Sequence, residues 1–188
     1  MDAPDPGNFW KIPFCWDSEC PPPSQRSSLN FTAIGDADLV ALVAELMADS
    51  LDQSDHAAVS ELGAEGAARE LLDVDPGYFA SVAGWWRLAR DRNGTVVGLV
   101  LPILLKGEHM TEVDQPQGTI YYMGVLPRYR GRGYARQLLD EATRLFLGRG
   151  CRRVVCDADV SNLPMLSAFR ACGYHEGQPW QRPLRWRA

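Results

Sequence analysis

Residues 123–135, Met-Gly-Val-Leu-Pro-Arg-Tyr-Arg-Gly-Arg-Gly-Tyr-Ala, decide the reading of this chain. An apolar strand pattern stops there, and a glycine-bearing loop runs into a helix. Gly131 and Gly133 let the backbone turn tightly and approach a ligand closely. The helix they open leaves its first N–H groups without intrahelical partners. Those donors, backed by the positive end of the helix dipole, suit a pyrophosphate. The helix runs from 133 to about 147 and has its stop signal in Gly148-Arg149-Gly150.

Outward from this loop, residues 119–125 read as the strand that feeds it, and residues 106–118 as a polar loop before that. Arg92-Asn93-Gly94 carries the turn chemistry of an antiparallel hairpin between strands at 85–91 and 95–104. Earlier still, 29–34 alternates like a short strand. Asp36 can cap a helix on which Leu39, Val40, Val43, Leu46 and Met47 recur at helical spacing, and a second helix spans about 64–72. Downstream come a strand at 152–157, a helix at 163–172 and one or two closing strands within 174–186. This order gives a mixed α/β sheet covered by helices on both faces.

A chain of 188 residues suits one domain with a single well-buried core. Residues 1–28 are irregular by composition and contain Pro21-Pro22-Pro23, so they read as an arm ahead of a domain at 29–188. The arm's apolar part, Phe9 to Trp16, is too rich in large side chains to stay solvated and is expected to pack on the domain or on a second subunit. No apolar run is long enough to cross a bilayer and the N-terminus lacks a secretory apolar region, which points to a cytoplasmic protein without a membrane partner. The five cysteines, Cys15, Cys20, Cys151, Cys156 and Cys172, form no CxxC pair and read as reduced, packed thiols. No metal is expected.

The formal charge of −5 conceals a split. Residues 1–127 carry 7 basic and 19 acidic side chains, whereas residues 128–188 carry 12 basic and 5 acidic. Eight arginines lie between Arg128 and Arg153, where a ligand with several phosphates would need them. Overall acidity and the lack of interleaved aromatics argue against nucleic acid.

The run Arg128-x-x-Gly131-x-Gly133-x-Ala135 after Val125-x-Pro127, followed by Asn162-x-x-Met165-x-x-x-Phe169-x-x-x-Gly173-Tyr174, resembles the GCN5-related N-acetyltransferases (GNAT). The resemblance covers about 85–175. It implies a mostly antiparallel mixed sheet, the GNAT-like acyl-CoA N-acyltransferase fold. Acetyl-CoA is the implied co-substrate, and the acceptor is an amine of a small molecule or peptide, attacking directly in a ternary complex. The strands before and after the loop helix are expected to diverge around pantetheine, held by the main chain at Met123 and Val125. The loop residues Arg128, Arg130, Gly131, Arg132, Gly133, Tyr134 and Ala135 are expected to hold the pyrophosphate, with Asn162 and Phe169 further along the cofactor.

An amine that is protonated in water must lose a proton before attack, and the leaving thiolate must gain one. Asp157 stands five residues before Asn162, where related N-terminal acetyltransferases carry a carboxylate base, and is the candidate for the first step through a bridging water. Capping of the next helix is its competing role, and Asp159 is a candidate for either job. Where the family often places a tyrosine acid, this chain has Phe169. The acid is then water, another side chain such as Tyr174, Ser167 or Cys172, or nothing at all, since a thiolate of moderate pKa can leave unaided. The acceptor site is expected from 47–62, with Asp49, Asp52, Asp55 and His56, and from 105–118, with Glu108, His109, Glu112 and Asp114. Of the adjacent Trp85 and Trp86, one is expected in the core and the other could line a pocket. A catalytically silent CoA-binding sensor or scaffold is the rival reading, supported by Phe169. A homodimer is compatible with either.

Overall fold

The computed structural model describes residues 8–34, 39–106 and 116–183. In chain order the elements are β1 (Asn8–Trp16), β2 (Asn30–Ala33), α1 (Leu39–Ala48), α2 (Gln53–Leu72), β3 (Phe79–Ala80), β4 (Arg87–Arg90), β5 (Val96–Leu105), β6 (Gln117–Val125), α3 (Tyr134–Gly148), β7 (Arg153–Asp159), α4 (Leu163–Ala171), β8 (His175–Glu176) and β9 (Trp180–Pro183). One sheet joins the strands in the order β2-β4-β5-β6-β7-β1-β8, with β3 on β5 and β9 on β1. Among the described residues only the β6–β7 pair is parallel, so the sheet is mixed and mostly antiparallel. No described helix is long and apolar enough to cross a membrane.

Side-chain alternation on the strands divides the core in two. Val100 packs with Leu138, Ala142 and Phe146 of α3 and with Leu166 and Phe169 of α4. Its neighbours Leu99 and Leu101 pack on the other face with Val43, Leu46 and Met47 of α1 and Ala67 and Ala68 of α2. Helices therefore cover both faces. The β4–β5 turn forms as its residues require: Gly94 takes φ 81°, and Asp91 accepts from Asn93 N at 2.9 Å and Thr95 N at 3.0 Å. Trp85 is buried edge-on against Phe146 with centroids 5.3 Å apart, and Trp86 packs on the α1/α2 face. Both tryptophans belong to the core.

Two segments depart from the expectations. Residues 8–16, read by composition as part of an irregular arm, form a strand between β7 on one side and β8 and β9 on the other. Ile12, Phe14 and Trp16 alternate inward with 8%, 2% and 4% exposure. This alternation is visible in the sequence, but its pairing is not, because Phe14 opposes Cys156 far along the chain. The second departure is α2, which begins at Gln53 instead of about 64 and contains a break at Gly63, φ 71° and ψ 164°. Alanine and glycine blur its apolar period, and Asp52 caps it by accepting from Ser54 N at 3.0 Å. The proposed cap Asp36 lies outside the described residues.

Candidate functional site

The glycine loop stands where the sequence places it. After β6, a 3-10 turn at Pro127–Tyr129 leads to Gly131 at φ 76° and Gly133 at φ 75°. Only glycine adopts these angles without strain. A Cβ at either position would meet nothing within 4 Å, so the loop faces open space. No side chain caps α3, and its first N–H groups remain available to an anion.

The loop arginines divide by task. Arg130 turns inward, donating from Nε to Val125 O at 3.2 Å and from Nη2 to Asp49 O at 2.7 Å, and so braces the loop against the end of α1. Arg128 pairs with Glu45 and lies over the Tyr129 ring at 5.1 Å. Arg132 approaches the same ring at 5.5 Å. On the outer side of the loop, Arg26, Arg92, Arg132 and Arg136 surround a basin of about 600 Å³ that also reaches Gly133. Tyr134 is half-buried in the first turn of α3, and Ala135 reaches the cleft described next.

Beside the loop, the parallel pairing of β6 and β7 stops at Thr119↔Val155. Beyond it the strands part and leave a cleft of about 840 Å³. Met123 and Val125 line it from β6, Cys156 and Asp157 from β7, and Asn162 and Phe169 from α4 and its cap. Gly124 lets α1 press close, since a Cβ there would stand 2.9 Å from Leu46. A bulge at Tyr121, where Leu101 opposes Tyr122 but Pro102 opposes Ile120, breaks the alternation of β6. Tyr121 and Tyr122 therefore both reach α2: their hydroxyls donate to Leu71 O at 2.9 Å and to Asp55 Oδ2 at 3.2 Å.

The remaining sequence candidates scatter. Asp157 is half-buried on β7 opposite Pro13 of β1. Asn162 caps α4 by accepting from Met165 N at 3.3 Å while lining the cleft. Phe169 stacks on Phe14 at 4.6 Å and meets Tyr174 edge-on at 5.2 Å. Tyr174 does not reach the cleft wall; its hydroxyl is 2.7 Å from Thr143 Oγ1, and burial holds its pKa well above the usual tyrosine value. Ser167 is exposed and the Cys172 thiol donates to Arg136 O, both off the cleft. Asp159 is buried and structural, accepting from Ser161 N at 2.9 Å and Gln53 N at 3.2 Å. Asp49 is taken by Arg130, and His56 Nε2 meets Ser50 O at 2.5 Å. Glu108, His109, Glu112 and Asp114 lie outside the described residues.

Asp52 and Asp55 do reach the cleft, with two partners that the sequence did not single out. Lys11 of β1, only 2% exposed, places Nζ 2.6 Å from Asp52 Oδ1, 2.7 Å from Oδ2 and 4.0 Å from Asp159 Oδ2. Burial alone would raise the Asp52 pKa, but the Lys11 ammonium and the bonds from Lys11 and Ser54 hold it below the usual value. Among the described residues no cation forms an ion pair with Asp55. Burial and the neighbouring Asp52 charge push it up to about 6, against the opposing effects of Ser50, Lys11 and Tyr122. The Tyr122 hydroxyl is held well above its usual pKa by burial and by Asp55. Asp52-x-x-Asp55 is a helix-start signal legible in sequence. Among the described residues one group has metal-ligand chemistry, Asp17, Cys20 and His175, with ligand atoms within 4.8 Å of one another. None of the three lines the cleft.

The chain matches the acetyltransferase (GNAT) family over residues 43–174. It is 37% identical over 103 residues to an acetyltransferase from Yersinia pestis (strain Pestoides F), covering 55% of this chain and 61% of that relative. Among solved structures it is similar to a GCN5-related N-acetyltransferase from Sphaerobacter thermophilus, with TM-score 0.52 and 19% identity over 95% of this chain and 52% of that one. It is also similar to AAC(6')-Iy in complex with the bisubstrate analog CoA-S-monomethyl-acetylneamine, with TM-score 0.52 and 20% identity over 86% of this chain and 99% of that one.

Proposed function

Because this chain belongs to the GNAT family of acetyltransferases, we propose that it moves an acetyl group from acetyl-CoA to a primary amine of a small molecule or peptide, as a cytoplasmic enzyme acting in a ternary complex. The observation that carries this reading is the parting of β6 and β7 beside an uncapped, glycine-opened helix. A pyrophosphate fits the helix end, and a narrow amide-bearing arm fits the cleft that opens where the β6–β7 pairing stops at Thr119↔Val155. A solved relative that binds a CoA-linked acetylneamine supports a route from such a cleft to an amine.

In this reading Gly131, Gly133, Tyr134 and Ala135 present main chain to the pyrophosphate, and Arg128 and Arg132 supply charge around it. Arg130 acts by holding the loop against α1. The main chain at Met123 and Val125 binds the pantetheine arm and polarises the thioester carbonyl, with Asn162 and Phe169 closing the far wall. Asp157 offers a carboxylate from β7 for proton transfer. Tyr174, with its hydroxyl on Thr143, supports Phe169 from behind. Residues 29–188 carry this machinery, and β1 completes its sheet. Phe169, which has no proton to give, keeps a silent CoA sensor as the second reading.

The test is release of CoA, followed with a thiol reagent, from acetyl-CoA and a panel of aliphatic, aromatic and peptide amines, beside the melting temperature with acetyl-CoA alone. Expected are CoA and acetylated amine in equal amounts and a raised melting temperature, since a ligand that binds only the folded state at 100-fold its Kd stabilises by about 2.7 kcal/mol. A thermal shift with no transfer to any amine would favour the sensor. Neither shift nor transfer would end both readings.

A further inference from the structure

The reaction proposed above needs two proton removals from an acceptor that arrives as an ammonium. One proton leaves before attack, to bare the lone pair, and one after the C–N bond forms. The cleft presents two carboxylates suited to this, on opposite walls: Asp157 on β7 and Asp55 in the first turn of α2.

Several local features aim Asp55 into the cleft. A carboxylate three residues into a helix commonly reaches back to the cap N–H. Here the Asp52 N–H instead donates to Ser50 Oγ at 3.1 Å, which leaves Asp55 facing the sheet. The bulge at Tyr121 turns Tyr122 toward it, and the Tyr122 hydroxyl holds Oδ2 at 3.2 Å. Tyr122 directly precedes Met123, so the pair stands beside the strand position proposed for the thioester. The cleft lining includes the apolar Met47, Ala58 and Leu71, and the groups that act on Asp55 are Asp52, Ser50, Lys11 and Tyr122. Among the described residues no cation forms an ion pair with Asp55; Lys11 is held by Asp52. A buried carboxylate without a counter-ion is costly to maintain. An incoming ammonium would be that counter-ion.

We propose that Asp55, positioned by Tyr122, receives the ammonium of the acceptor and takes its first proton, which leaves Asp157 to serve the second. R–NH3+ gives one proton to the Asp55 carboxylate, producing R–NH2 and a neutral carboxyl. The amine attacks the thioester carbon, the C–N bond forms and the C–S bond breaks. The second N–H proton passes by way of Asp157 and water to the departing sulfur, so CoA leaves as the thiol, and Asp55 returns its proton to solvent. Asp55 is well matched to the first step, because burial and Asp52 lift it to about 6, so it is ionised at neutral pH yet more basic than an exposed carboxylate. The charged and titratable groups acting on it are Asp52 at the start of α2, Lys11 on β1 and Tyr122 on β6; Arg130 of the glycine loop acts on Tyr122, Asp159 stands behind Lys11, and Glu61 and Glu70 of α2 and Asp157 of β7 line the same cleft.

This inference rests on the transferase reading, and its experiment separates the two. The pH dependence of kcat/KM is measured with an amine from the panel that wild type acetylates, for wild type, Asp55→Asn, Tyr122→Phe and Asp157→Asn, each checked for folding by its melting temperature with acetyl-CoA. Wild type should rise through about pH 6. Asp55→Asn should fall about 10²–10⁴-fold at pH 7, lose that limb, and recover at high pH where the amine is already neutral. Tyr122→Phe removes a bond that favours the ionised carboxyl, so its limb should move to higher pH. Asp157→Asn should keep the limb near 6 and lose rate at every pH. Activity of Asp55→Asn within twofold of wild type at pH 7, or a limb that survives in it, would overturn the proposal. Should Asp55→Asn fail to fold, an unmoved limb in Tyr122→Phe would overturn it equally. A wild type that transfers to no amine would sink the transferase reading, and this inference with it.

Discussion

A single lysine decides how three pieces of this chain meet. Lys11 is almost fully buried, and its ammonium joins β1 to the cap of α2 through Asp52 and to the end of β7 through Asp159. Lys11→Met should therefore leave two carboxylates without their cation and destabilise by about 3–5 kcal/mol, seen as a large drop in urea midpoint. A variant that also carries Asp52→Asn should recover part of the loss, and equal stability of Lys11→Met and wild type would show that the ammonium holds nothing. The same cluster sets a pH signature. The folded-state pKa of Asp55 is raised above its unfolded value, so its ionisation costs stability, a cost absent below about pH 4 and complete above about 6. Asp55→Asn removes that cost. Its melting temperature should exceed that of wild type at pH 7–8, by the equivalent of about 3 kcal/mol, with the advantage gone near pH 4. An advantage independent of pH would point to packing instead. A variant that gains stability as it loses turnover is the expected mark of a group kept for chemistry.

Elements were legible in the sequence where their signals are local. The glycine loop, α3, α4 and the β4–β5 hairpin follow from residues within a turn or two of one another, such as Asn93-Gly94 at the hairpin and Asn162 at the start of α4. The first half of α2 shows a start signal at Asp52 but no helical period, because Gly63 interrupts it and alanine supplies little contrast between faces. The bulge at Tyr121, which brings Tyr122 to Asp55, has no sequence signature at all. The loop supports a prediction of its own. Gly131 sits at φ 76° with open space where a Cβ would point. Gly131→Ala should fold, with a loss of about 1–2 kcal/mol from the left-handed conformation. In the transferase reading it should also lose most of the melting shift given by acetyl-CoA, because the added methyl occupies the face offered to the pyrophosphate. A folded Gly131→Ala protein with an undiminished shift would move the cofactor elsewhere.

At the scale of the whole molecule, the charge split read from the sequence has a spatial counterpart. Arg26, Arg92, Arg132 and Arg136 surround the basin outside the glycine loop, while Asp52, Asp55 and Asp157 reach the cleft on its inner side. In the transferase reading, an anionic donor and a cationic acceptor would each be drawn to the region of opposite sign. The sheet that frames the cleft depends on β1, and there the sequence misled, because strand pairing across most of the chain leaves no local trace. Composition made residues 1–28 an arm, and an arm can be removed. The fold makes a different forecast. Deleting residues 1–16 would expose the edge of β7, strip Lys11 from Asp52 and Asp159, and empty the positions of Ile12, Phe14 and Trp16. Those three side chains alone contribute roughly 5–9 kcal/mol of apolar burial, comparable to the total stability of about 5–15 kcal/mol typical of a domain. The truncated chain should show no cooperative melting and should aggregate through its bared strand edge. Adding residues 8–16 back as a separate peptide should restore a measurable transition if the strand is the missing part. A deletion that melts cooperatively near the wild-type temperature would return this segment to the status of an arm.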